Sequence, residues 1–564
     1  MANELPTATV SSTSGTAGGL ASGTDSIAVL ACSSAGPLNT PRYLQRSTAM
    51  ISTFGYGDGT EFVTHYFKRV RKPVWFARLP STTAGAVEWS NVDGVTGTSV
   101  ITFSGAAYKR VDFVLVVVEG GTIGTEGITF KYSLNGGRSF FPTRRLGTAS
   151  SFAVPNAGFT VAFAAGTLNA DDTALARTSP PKWSTADFAD GITALIALPN
   201  KFRALVVVGD FTKSEAQSLQ TQIDSLFTAN KRCVVFVQAR DWYADATLSG
   251  NPNLTFAEAN PDTITRATGS WITDGFKAGM TITVAGSTSN NGVYTIASLN
   301  ATVITLDAGD DLAAEGPSNG RTVTGEETEE TWASSINSNY AGFEDTRGRM
   351  AVGAGMSWYT SEVYQCLMRG PRVWSFVERW MQHDVHVSPN RVGDGPLDDW
   401  SLRDDANNII EHDARTLTLL CEQRFIVGRS FIDSDGDFIA VPAAMAPSGS
   451  AFGVVPWVGV TNLFEDVVQK ATERFIGDHP ELQANGTLTP RELGLYKNFV
   501  ESQLRAELRT PKREGRRASF VSWEPRNDDV LNVPNAILHG EGVLKTLGLI
   551  GSVQTAVVVN PSST

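Results

Sequence analysis

Cysteine is scarce. The 564-residue chain has four, Cys32, Cys233, Cys366 and Cys421, far apart and without a CxxC pair. Such spacing argues against both a zinc motif and a disulfide framework, so all four read as reduced residues of cores or strands. Long apolar runs are missing as well. None reaches the roughly 18 residues of a membrane span, and residues 1–24 have neither the basic start nor the apolar stretch of a leader. The chain is therefore expected to be made in the cytoplasm and to stay soluble, with no membrane insertion. Charged residues make up only 18%, and the net charge of −12 lacks the basic footprint of a general nucleic-acid binder.

What the chain does have is length, glycine and ordinary apolar content. At roughly 100–200 residues per domain it should hold several. An apolar fraction of 41% is enough for ordinary cores, and 53 glycines with frequent Ser and Thr fit a β-rich assembly protein.

The organising stretch is Phe202 to Asp241. Phe202-Arg-Ala-Leu-Val-Val-Val-Gly-Asp210 is a nearly unbroken apolar run, as expected of a parallel strand buried on both faces. Thr212-Lys-Ser-Glu215 forms a capping box, and Ala216, Leu219, Ile223, Leu226 and Phe227 recur at helical spacing. Arg232-Cys-Val-Val-Phe-Val-Gln238 is the returning strand, so the unit is a right-handed βαβ crossover.

The flanks are β. Short strands at close spacing, Ser99–Phe103, Phe113–Val118, Ile128–Tyr132, Phe152–Val154 and Thr160–Phe163, predict a sandwich, with Asn135-Gly-Gly137 as a hairpin turn. Alternation in Met280–Val284, Gly292–Ile296 and Thr302–Leu306 predicts a small barrel or meander. Amphipathic α/β sequence resumes after each, at 187–198 and 329–343, so both read as insertions into one discontinuous core. The expected fold class is an α/β core with a βαβ-containing sheet, interrupted by two all-β insertions, with an α+β C-terminal domain and extended terminal arms. The divisions fall at 1–45 (arm and first strand), 46–81 (core), 82–180 (sandwich-like insertion) and 181–265 (core). The rest are 266–327 (barrel-like insertion), 328–455 (core), 456–543 (helical domain) and 544–564 (strand arm).

Several constellations invite chemistry. Gly55, Gly57 and Gly59 follow no strand and lack the Gly-Lys-Ser/Thr of a phosphate loop, so they read as a turn before 61–71. Lys68, Arg69, Arg71 and Lys72 read as a solvated or subunit-facing patch. His383-Asp-Val-His386 lies near Asp394, Asp398, Asp399, Asp404, Asp405, Glu411, His412 and Asp413, a set able to ligate a transition metal. In an extended segment the two histidines would point to opposite faces, and the later acids fit the solvent side of a helix with Ile410, Ala414, Leu417, Cys421 and Phe425 buried. Asp433-Ser-Asp-Gly-Asp437 departs from a calcium loop, with glycine too early and Ala444 where the closing glutamate belongs, so a hairpin turn is expected. Gly449-Ser-Ala-Phe-Gly453 has its serine one place too early for a nucleophile elbow. Asp210 and Asp241 follow core strands, where α/β enzymes place metal or phosphate chemistry, but no nucleophile signature accompanies them. No catalytic, metal or cofactor-binding residue is assigned.

Towards the C-terminus, Asn462-Leu-Phe-Glu465 and Thr489-Pro-Arg-Glu492 predict two capped helices. Arg505, Arg509, Lys512, Arg513, Arg516 and Arg517 then form a basic run, read as facing a complementary protein surface rather than nucleic acid. Val553–Val559 alternates as a strand with no partner nearby in sequence.

Two ends carry a resemblance. An apolar strand, then Ser33-Ser-Ala-Gly-Pro-Leu-Asn-Thr-Pro41, then a connection ending in Phe54-Gly55, resembles the N-terminal region of phage contractile-tail sheath proteins. The closing Leu544-Lys-Thr-Leu-Gly-Leu-Ile550, terminal strand and Asn560-Pro561 are similar to the end of the same family. Together with the helical domain the resemblance covers about a quarter of the chain. It implies a structural virion protein, not an enzyme, assembled in the host cytoplasm and located in the tail. It also implies copies stacked in hexameric rings as a helical sheath around a tube protein, with baseplate and tail terminator as further partners, and contraction without cofactor. Inter-subunit strand exchange would then use Ile27, Val29 and Leu30 at one end and Val553, Thr555, Val557 and Val559 at the other. The competing readings are a metal-dependent α/β hydrolase built on Asp210, Asp241 and His383 or His386, and another virion part such as a capsid decoration or host-binding protein.

Overall fold

The computed structural model describes residues 26–92, 94–241, 246–401, 414–431, 434–511, 514–531 and 537–548. It is mixed α/β and divides into two compact units: Ser22–Gln382 with Pro389–Gly453, and His383–Ser388 with the chain from Val454 onward.

The larger unit is built on a six-stranded sheet. Its strands are β1 (Ile27–Ala31), β2 (Arg42–Leu44), β3 (Val74–Arg78), β4 (Ala204–Phe211), β5 (Val234–Ala239) and β6 (Met350–Gly353), in the order β2-β3-β1-β4-β5-β6. Every pairing is parallel except that of the edge strand β2 with β3. The expected βαβ is β4, α4 (Lys213–Thr228) and β5, and the Thr212/Glu215 capping box is formed. Leu205 and Val207 of β4 and Val235 and Val237 of β5 point into one core with Ile192 of α3 (Thr185–Ile196), Leu219 and Ile223 of α4, and Trp332 and Ile336 of α5 (Glu329–Tyr340). Alternate residues such as Val29 and Phe236 are just as buried, and on that face α2 (Asp58–Arg69) packs on β1 and β4 and α6 (Arg372–Gln382) on β5 and β6. Helices on both faces explain why these strands are apolar at every position.

One expectation is corrected here. Ile27, Val29 and Leu30 are not an exchanged arm: β1 pairs with β3 on one side and β4 on the other, and all five of its residues are 0% exposed. With both edges hydrogen-bonded inside the subunit, nothing remains for a neighbour to complete.

The first insertion packs two antiparallel sheets. One pairs Asp112–Glu119 with Thr129–Ser133 and Thr173–Ser179, the other pairs Phe159–Phe163 with Ile101–Gly105 and Ser151–Ala153. Phe113 makes edge contacts with Phe103 and Phe159. The second is an antiparallel sheet of eight strands that begins at Ala246 and takes in Leu254–Ala257 and Thr263–Arg266, ahead of the start expected at 266.

At the end of α2 Lys68 is exposed and Arg69 half-buried, and both are already paired within the subunit: Lys68 pairs with Glu362 at 2.8 Å and Asp399 at 3.2 Å, and Arg69 with Asp398 and Asp399. A hairpin pairs Gly428–Phe431 with Ser434–Ile439, so Asp435 and Gly436 fall within its second strand and not in the expected turn, whereas Asp404, Asp405, Glu411, His412, Asp413 and Asp433 lie outside the described residues.

In the smaller unit α8 (Val455–Glu473) starts earlier than expected, with Pro456 in its first turn, so Asn462 sits inside the helix instead of capping it. Thr489 does cap α9 (Pro490–Leu504), its hydroxyl accepting from Glu492, and a π-turn at Arg505–Arg509 follows. A two-stranded antiparallel sheet, Ala518–Pro525 with Gly540–Thr546, completes the unit, and α9 packs on its first strand.

Candidate functional site

Two places concentrate functional potential. The first follows from the strand order. From β1 the sheet grows through β3 on one side and through β4, β5 and β6 on the other, and ligands of open α/β sheets bind where the order diverges, beyond the carboxyl ends of the strands. A cavity of about 230 Å³ lies there, lined among others by Asp58, Lys109, Asp210, Asp241, Lys277 and Trp358. Asp210 reaches it through an irregularity in β4. Pairing with β5 breaks between Val206 and Asp210, and Gly209 takes φ 133°, with a Cβ there only 3.0 Å from the Trp183 ring nitrogen. Only glycine suits that backbone, and the bulge sets the following carboxylate at the cavity wall.

The cavity charges are unevenly satisfied. Asp241, 3% exposed, accepts from Arg369 at 3.0 and 3.4 Å and pairs with Arg110 at 3.3 Å. Arg240 is held by Glu327 at 2.6 and 2.8 Å. Lys109 donates to Tyr359 at 2.8 Å and stands 3.8 Å from Asp58, and the Tyr359 hydroxyl donates to Glu61 at 2.7 Å. Burial pushes Asp58 up to about 6 against the pull of Lys109. Burial likewise pushes Asp210 up to about 7, Arg110 opposing and the charges of Asp241 and Asp58 adding to it. Asp210 and Asp241 are thus brought together, as strand-end acids can be, but Asp241 is consumed as a counter-ion.

The histidines expected beside them belong to the smaller unit. They lie in a turn after α6, not in a strand, and each is engaged: His383 Nδ1 with Glu514 Oε1 at 2.8 Å, His386 Nε2 with the Glu514 carbonyl at 3.1 Å. Arg517 donates to Asp384 at 2.8 Å, fixing the same turn. Among the described residues no three His, Cys, Asp or Glu side chains stand close enough to hold a metal ion.

The second place is the two-stranded sheet. Its first strand buries Ala518, Val521 and Trp523, and the opposite face exposes Phe520 and Val543. Among the described residues neither strand has a second strand partner, so the sheet has two outer edges, of eight and seven residues, and on the first of them the Trp523 amide donates to Glu501 at 3.5 Å. A two-stranded ribbon is marginal alone, and open edges are templates for a further strand. Val553, Thr555, Val557 and Val559 lie outside the described residues. Of the basic run, Arg505 pairs with Glu501 at 2.6 Å and Arg517 with Asp384 and Glu507. Arg509 is half-buried, Arg516 is exposed, and Lys512 and Arg513 lie outside the described residues.

No protein-family model and no curated protein matches the sequence. Solved structures do. A sheath tail protein of Desulfitobacterium hafniense is similar at 10% identity and TM-score 0.39, over 93% of this chain and 97% of that one. A sheath tail protein of Listeria innocua is similar at 9% identity and TM-score 0.39, over 93% and 96%. Among the described residues no helix is long and apolar enough to cross a membrane.

Proposed function

We propose that this chain is the sheath subunit of a phage contractile tail, polymerising around a tail tube and contracting to drive the tube through the host envelope. The observation that supports this most is the pair of open edges on the C-terminal sheet. A strand of the type written in Val553–Val559, donated by a neighbouring copy, would extend that sheet and leave the donor's own edge for the next copy. Such head-to-tail linkage does not close on itself and yields helical assemblies. In this reading the exposed Arg516 and the half-buried Arg509, together with Lys512 and Arg513 of the same run, face the tube or a neighbour. Baseplate and terminator proteins end the polymer in the virion tail, after assembly in the host cytoplasm.

The test is deletion of Val553–Val559, compared with the full chain by negative-stain microscopy and circular dichroism. A folded subunit that forms no tubes is expected. Tubes of normal length from the deleted protein overturn the linking role.

A further inference from the structure

The cavity beyond β4 and β5 holds three polar groups without a partner among the described residues, and they are of complementary kinds. Asp210 presents a carboxylate with no hydrogen bond or ion pair to any described residue, and Lys277 presents an ammonium in the same condition. Trp358, 6% exposed, has an indole Nε1 that finds no acceptor. Asp210 and Lys277 both line this cavity and form no ion pair with each other, although opposite charges in a partly enclosed space attract strongly. None of the neighbouring cations forms an ion pair with Asp210: Arg369 and Arg110 are committed to Asp241, Arg240 to Glu327 and Lys109 to Tyr359, and the pull of Arg110 only partly offsets the burial of the carboxyl. Between the polar groups the wall is apolar and aromatic, supplied by Trp89, Trp374, Met356 and Met368.

A ligand that satisfies all three groups must carry a cation at one end and a carboxylate-like acceptor at the other. An amine alone has nothing for the Trp358 N–H, and an anion alone meets Asp210 as a like charge. At about 230 Å³ the space is below the roughly 300–1,000 Å³ of pockets that take drug-sized ligands, which limits the occupant to amino-acid size. We propose that this cavity binds a small zwitterion, with its ammonium on Asp210 and its carboxylate on Lys277 and the Trp358 N–H. The aromatic walls add cation–π attraction for the ammonium and cover the connecting carbons.

The experiment is calorimetric titration of the full chain with glycine, β-alanine and 4-aminobutanoate, which differ in the span between charges. Propylamine and propionate are the single-charge controls. At least one zwitterion should bind about tenfold or more tighter than either control. Asp210→Asn and Lys277→Met should each weaken that binding about tenfold, and Trp358→Phe, which keeps a ring but not the N–H, several-fold. Circular dichroism of each variant separates loss of binding from loss of fold. Absence of binding by all three zwitterions at about 10 mM, or propylamine binding as tightly as the best of them, overturns the proposal. So does retention of full affinity in folded Asp210→Asn and Lys277→Met. None of these results depends on tube formation, so this site and the sheath reading fail separately.

Discussion

His65 Nδ1 lies 2.7 Å from Glu378 Oε1, with the two side chains 0% and 4% exposed. The contact ties α2 to α6 on one face of the sheet, and Trp400 Nε1 holds the other Glu378 oxygen at 2.8 Å. Burial works against the imidazolium, but the charge and hydrogen bond of Glu378 override it, so the His65 pKa is raised above its ordinary 6.5. The folded state therefore keeps a proton that the unfolded chain gives up. That stabilisation is complete below pH 6.5 and is lost as the pH rises through the raised folded value. Urea unfolding of the larger unit should show a midpoint that falls from pH 6 upward. In His65→Gln that slope should be reduced, and Glu378→Gln should cost on the order of 1–3 kcal/mol at pH 6.

Asp210 carries the same sign for a different reason. Its carboxyl is raised from 3.8 to about 7 chiefly by burial, so the native protein takes up a proton between those values that the unfolded chain does not. Stability contributed by that proton is present below pH 3.8, declines across the window and is gone above about 7, where the buried charge is a net cost. Asp210→Asn should raise stability at pH 8 by on the order of 1–3 kcal/mol and flatten the profile between pH 4 and 7. Chemical denaturation at several pH values reads both.

How much of this was legible in the sequence can be traced residue by residue. The βαβ at 202–241 was, because an apolar run, a capping box and a helical stripe agree with one another. Ile27-Ala-Val-Leu-Ala31 has the same two-face apolar pattern as β4, which is the mark of a central parallel strand, yet its place near the chain start and the family likeness pointed to an arm. Local pattern was the better guide there. Asp210 and Asp241 could be read as strand-end acids, but Lys109, Lys277 and Trp358 reach the cavity from both insertions and from a strand at 356–360, and no local pattern links them. The hidden start of α8 has a plain signal in retrospect, Pro456 at a helix N-terminus.

The capping box of α4 offers a local test. Thr212 Oγ1 accepts from the Glu215 amide at 3.3 Å, and the Thr212 amide donates to Glu215 at 2.8 Å. Thr212→Ala should cost about 1 kcal/mol, and Thr212→Ser far less, measured as a shift in denaturation midpoint.

The basic run offers a test of contact between copies. Arg505 and Arg517 are already paired within the subunit, so reversing them should destabilise it, whereas the exposed Arg516 should be separable. Arg516→Glu is expected to leave the melting temperature within about 1–2 °C and to slow tube assembly, the more so at low salt. Light scattering at two ionic strengths reads the difference.

The strand order also sets a timetable for synthesis. β4 follows β1 only after the whole first insertion, and the sheet waits for Met350 to gain its last strand. At ~5–20 residues per second, the roughly 320 residues between Ile27 and Met350 take roughly 15–65 s. For the first part of that interval, until β4 is made, the sticky five-residue β1 is without its second neighbour. Chaperone capture of the nascent N-terminal third, and sensitivity of yield to translation speed, are the physiological counterparts of putting the first strand in the middle.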